Sequence, residues 1–225
     1  MYQYCVNCSG FKGVGRSPET LIGVVGLTDH AAGRLPRGWR LQDTVPWTMS
    51  WTGEEHFELR ESGDFPGLVD LVQLERPGEG IPRFKALHVT RLRTGIARHI
   101  CHVCGRPTPR ADRYLLPVQS GGFVTVGEDS SRYAANVPLL HLACTRKAQR
   151  LCPHLRQATI PPVAYPSEES QLVPRRDVVE GMEPLARTLP PNLPVVFSCC
   201  RLFGPRFSRK IFELRRANAP NVFTR

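Results

Sequence analysis

A chain of 225 residues with 41% hydrophobic content can bury a core of its own, and its 19 glycines and 21 prolines favour many short elements over long helices. No apolar run approaches the ~18 residues of a membrane span, so no membrane partner is expected. The net charge of +10 is unevenly spread: residues 1–90 carry 9 Lys/Arg against 11 Asp/Glu, residues 91–160 carry 11 against 3, and residues 161–225 carry 10 against 6. Such an asymmetry points to an anionic partner, DNA or RNA, or else to an arginine-rich composition with no ligand behind it.

In chain order, the opening Met1-Tyr2-Gln3-Tyr4 has neither a basic n-region nor an apolar h-region, and a cytoplasmic location is expected. Cys5 and Cys8 form a CxxC pair, half of a metal site, which a distant Cys199-Cys200 would complete as a second zinc across the termini; the alternative is an inert pair. Residues 9–50 are turn-rich around a short strand, Leu21–Gly26. Asp29-His30 invites comparison with an HNH-type nuclease, but there the histidine lies between the zinc pairs in sequence, and here it lies far ahead of them. The acidic stretch Glu54, Glu55, Glu58, Glu61 reads as a solvated face, Leu68–Leu74 as a strand, and Pro77-Gly78-Glu79-Gly80 as a turn.

A helix is expected from Thr90 to His99, with Leu92 and Ile96 on one face and Arg91, Arg93 and Arg98 on the others. It delivers the chain to Cys101-His102-Val103-Cys104-Gly105. Tyr114–Val118 and Phe123–Val126 flank Ser120-Gly121-Gly122 as a hairpin, and Glu128–Asn136 reads as an exposed loop. A helix over Leu142–Leu151 ends before Pro153. The Pro-rich stretch 157–196 reads as a linker-like wrap over the surface, with one strand at Leu193–Phe197. The last element is a basic amphipathic helix, Arg206–Arg216, with Phe207, Ile211 and Leu214 inward.

Two cysteines three apart before a glycine, then His141 and Cys144 three apart at a helix start, have the residue types and spacing of one closed tetrahedral zinc site. Gly105 permits the left-handed backbone that such a knuckle needs. Cys152 lies eight residues beyond Cys144 and reads as a small apolar neighbour of the site, while His102 and His154 read as surface residues. The fold class expected is α+β: a small treble-clef zinc module (knuckle, hairpin, helix) embedded in a loop- and Pro-rich chain. Its boundaries fall at 1–76, an N-terminal α+β region; 77–156, the zinc module; and 157–225, the wrap and C-terminal helix.

At Cys101–Gly105, Leu140–Cys144 and Leu151–Arg156, the chain resembles a set of small zinc-binding proteins of actinobacteria and phage-related genomes, which share a CxxCG knuckle, an HxxC or CxxC pair and a CPxL ending. The resemblance covers roughly residues 76–156; it implies a zinc site and a treble clef and transfers no activity. With four Cys/His ligands the shell is full, and no nucleophile motif is present, so the expected function is non-catalytic. Arg91, Arg93, Arg98, Arg206, Arg209, Lys210 and Arg216 are the candidate phosphate contacts. Binding is expected to be weak and sequence-independent, because no aromatic stacking platform is evident. The competing readings are a protein-interaction module and, less favoured, the nuclease.

Overall fold

The computed structural model describes residues 45–117, 122–126, 130–152, 155, 160–165, 170–178, 183–190 and 192–218. The described residues open with short strands: β1 (Met49–Trp51), β2 (Phe57–Glu61), β3 (Val69–Gln73) and β4 (Pro82–Leu87). They are short because Gly and Pro break them, with Gly78 and Gly80 at φ 91° and 82° turning β3 into β4. The pairs β1–β4 and β2–β3 are antiparallel.

Helix α1 (Val89–Arg98) is capped at both ends. The His88 ring accepts from the Arg91 N–H, and His99 takes the left-handed conformation at φ 55°. Val89, Leu92 and Ile96 are buried, as the spacing requires, but so are Arg91 and Arg93. The helix is covered on its flanks as well as along its apolar stripe, so arginines assigned to the outside find partners inside. Arg91 donates to the Met49 carbonyl and pairs with Glu54 at 2.5 Å; Arg93 donates to the Leu71 carbonyl and pairs with Asp70 at 3.4 Å. Glu54 is thus not part of a solvated face: it has no exposed surface and also accepts from the Trp51 and Arg76 amides.

Beyond the knuckle, β5 (Tyr114–Leu115) pairs with β8 (Val163–Ala164), not with Phe123–Val126. The hairpin instead joins β6 (Phe123–Val126) to β7 (Ser130–Ala135), so the expected exposed loop is a strand whose Tyr133, Ala134 and Ala135 are buried. Helix α2 (Leu142–Leu151) has the expected bounds. The described part of the Pro-rich region is not a surface wrap. It contributes β8, buried at Val163, then β9 (Ser170–Arg175), a helical turn Glu183–Ala186, and β10 (Val195–Val196). Strand β11 (Ser198–Phe203) pairs with β9 from Ser198↔Arg175 to Phe203↔Ser170 and with β7 at Arg201↔Ala135. Helix α3 (Pro205–Ala217) closes the described chain. The larger sheets run β10-β3-β2 and β6-β7-β11-β9.

The segment 195–203 feeds three apolar clusters in turn. Val195 and Phe197 join Leu71 and Val89; Val196 and Cys199 join Phe65, Leu92 and Ile96; Phe203 joins Tyr133, Phe207 and Ile211 under α3. The clusters therefore draw on residues from 65 to 211. Arg201 ties the layers together by donating to the carbonyls of Ile96 and Ala97 at the end of α1. Among the described residues, no helix is long and apolar enough to cross a membrane.

Candidate metal centre and basic surface

Cys101 and Cys104 sit on a turn closed by the Cys101 amide donating to the Arg106 carbonyl and the Gly105 amide donating to the Cys101 carbonyl. Gly105 has φ 68°, and a Cβ there would lie 2.7 Å from the Trp47 ring. Only glycine satisfies both conditions. His141 is the N-cap of α2 and Cys144 its third residue, so one helix start carries both remaining donors. The bridges Ile100↔Pro107 and Tyr114↔Leu140 hold knuckle and helix start side by side.

The four donor atoms of Cys101, Cys104, His141 and Cys144 all lie within 4.8 Å of one another. His141 Nδ1 is 3.4 Å from Cys104 Sγ and 3.8 Å from Cys144 Sγ. A tetrahedral ion with bonds of ~2.3 Å to sulfur and ~2.0 Å to nitrogen sets that edge at about 3.5 Å. The other ring nitrogen, Nε2, donates to the Pro107 carbonyl at 3.1 Å, which orients the ring and leaves Nδ1 free to ligate. The residues are close enough to bind a metal ion, and the donor set is compatible with zinc. Burial, and then the neighbouring Cys101 and Cys104 thiols, push the Cys144 thiol up to about 12, so at neutral pH a metal must displace its proton.

Three supports of this centre had no signal in the spacing of the ligands. Trp47 underlies the knuckle and donates through its amide to the Val103 carbonyl. Thr48 Oγ1 lies 2.6 Å from His102 Nδ1. His102 is accordingly half-buried, not a surface residue, and burial pushes it down to about 4. Cys152 is the C-cap of α2 and is not among the clustered donors.

The second zinc gains no support. Strand alternation turns Cys199 and Cys200 to opposite faces, and Cys199 is a core residue whose thiol donates to the Arg93 carbonyl. Its proposed partners Cys5 and Cys8 lie outside the described residues, as do His30 of the nuclease comparison, the Leu21–Gly26 strand and His154.

The candidate phosphate contacts divide sharply. Arg91 is 1% exposed and Arg93 is buried, so neither reaches a ligand; both neutralise buried carboxylates. Arg98 is exposed but lies 3.4 Å from Asp64. Arg206, Arg209, Lys210 and Arg216 are all exposed on α3, whose opposite side buries Phe207 and Ile211. Comparison with family models, curated proteins and solved structures finds no match in any of the three. The chemistry of the centre and the charge of α3 therefore carry the functional reading by themselves.

Proposed function

We propose that this chain is a zinc-stabilised, non-catalytic binding protein that contacts the phosphate backbone of nucleic acid through α3. The metal reading rests on four soft and borderline donors that lie within 4.8 Å of one another, a set suited to zinc. Knuckle, β6–β7 hairpin and ligand-bearing α2 follow in treble-clef order, which supports that architecture for residues 101–151. Four protein ligands leave no open coordination position for substrate or activated water, hence a structural ion. Metal analysis of purified protein is the test: stoichiometric zinc is expected, and a folded, metal-free preparation would overturn it.

The observation that carries the nucleic-acid reading is the exposed row Arg206, Arg209, Lys210 and Arg216 on a helix anchored by its opposite face. Each phosphate neutralised contributes about 0.9 to the slope of log K against log salt for duplex DNA. A gel-shift salt titration should give weak, salt-sensitive, sequence-independent binding that a joint Arg209→Ala, Lys210→Ala change lowers. Absence of any shift at low ionic strength would defeat this reading and leave a protein partner on the 157–196 region as the account of choice.

A further inference from the structure

An open groove of about 640 Å³ lies at the start of α3, lined by Arg132, Ser170, Gln171, Leu202, Gly204, Pro205, Arg206 and Arg209. Three arginines, Arg132, Arg206 and Arg209, are among its lining residues, and none of the lining residues is acidic. Arg132 Nε is buried and has no hydrogen-bond partner among the described residues. Gly204 gives α3 no side-chain cap, and since Pro205 has no N–H, the amides of Arg206 and Phe207 are the donors of its first turn. Three arginines with no acid in the lining, beside the positive end of a helix, make a seat suited to an anionic oxygen.

A second feature continues from this seat along the same helix. Arg206, Arg209 and Phe212 succeed one another at i, i+3 and i+6, and Arg216 follows four residues on, a ridge of about 15 Å. Phe212 is 56% exposed, the most exposed large hydrophobic side chain among the described residues. Its ring is edge-on to Phe123 at 6.1 Å, and Arg215 lies over Phe123 at 5.3 Å. An exposed ring on such a support, with Arg209 and Arg216 beside it, is a stacking surface that the composition did not reveal. Glu213 is the helix's one acid, and among the described residues it forms no ion pair with these arginines.

We propose that α3 and this groove bind single-stranded nucleic acid, with a phosphate seated among Arg132, Arg206 and Arg209 and a neighbouring base stacked on Phe212. The proposal rests on the nucleic-acid reading above and makes it specific. A duplex keeps its base faces stacked inside and can use only the charges; an unpaired strand can use the ring as well. Stacking is tolerant of base identity, so sequence-independence is retained.

The test measures fluorescence anisotropy of the zinc-loaded full chain with labelled oligothymidylate, oligouridylate and a duplex of equal length. Both single strands should bind more tightly than the duplex. Phe212→Leu, at an exposed site, should weaken single-strand binding by roughly tenfold and leave duplex binding unchanged. Arg206→Gln and Arg209→Gln should weaken both and each lower the single-strand salt slope by about 0.7. Equal affinities for strand and duplex, or a Phe212→Leu variant of unchanged affinity and zinc content, would overturn the single-strand proposal while backbone binding stood. Loss of binding to every probe at low salt would overturn both.

Discussion

Glu54, which has no exposed surface, accepts from the Trp51 amide, the Arg76 amide and the Arg91 guanidinium, and its loss would leave Arg91 buried with its charge uncompensated. Glu54→Ala should therefore cost about 3–5 kcal/mol, measured by urea denaturation of the zinc-loaded protein. A loss below about 1 kcal/mol would mean that water reaches the guanidinium. His88 makes a different prediction. Burial pushes its ring down to about 4, opposed by the hydrogen bond to the Leu74 carbonyl and aided to a smaller extent by the charge of Arg91. The folded state thus resists a proton that the unfolded chain accepts near pH 6.5. Stability attributable to His88 is present above pH 6.5 and is lost as pH falls toward 4, by about 3 kcal/mol across the window. His88→Asn keeps a helix-capping side chain and should flatten the slope of stability against pH there; an unchanged slope would assign it to other groups.

At the scale of elements, the proposed ion and one glycine are what would hold the knuckle to the start of α2. Structural zinc contributes ~10–16 kcal/mol of apparent binding free energy in small zinc-finger peptides, more than a typical domain's net stability. Cys104→Ser or Cys144→Ser should release the 101–145 region, seen as loss of amide-exchange protection, whereas Cys152→Ser should keep its zinc. Gly105→Ala should weaken zinc retention against a competing chelator, because the left-handed backbone alone costs about 1–2 kcal/mol and the new Cβ meets Trp47. Gly63→Ala, where a Cβ meets nothing within 4 Å, is the control that should leave retention unchanged. Since the metal displaces thiol protons, zinc affinity should fall as pH is lowered, by up to about three decades per pH unit if all three thiols start protonated. A pH-independent affinity would contradict thiolate ligation.

For the molecule as a whole, the segment 195–203 is where three apolar clusters meet, and α1, the β10-β3-β2 sheet and α3 are coupled through it. Phe203 is fully buried and packs on Phe207 at 4.8 Å. Phe203→Ala should cost about 3–5 kcal/mol. Hydrogen exchange should then show the amides of α1 and α3 opening together at the lowered free energy. Opening of α3 alone, with α1 still protected at its former level, would show that the clusters are independent.

The candidate metal centre was legible because its information is local. A CxxCG turn and an HxxC helix start each fix two donors within four residues, and only the meeting of the halves needed the fold. The bounds of α2 and the inward face of α3 were legible for the same reason, through periodicity and a following proline. What the tertiary structure decided was the fate of side chains whose surroundings come from distant segments. A helical wheel places Arg91 and Arg93 off the apolar stripe, but Glu54 and Asp70, brought in by other elements, turn them into core residues. Strand pairing was equally non-local: Tyr114–Leu115 found β8 rather than the nearer Phe123–Val126, and β9 found β11 across a region dense in proline. Phe212 is the converse case, an apolar residue left outside because the inward face of α3 was already filled by Phe207 and Ile211. Local patterns determine which groups can ligate or cap; long-range packing determines which charges and rings remain for a partner to meet.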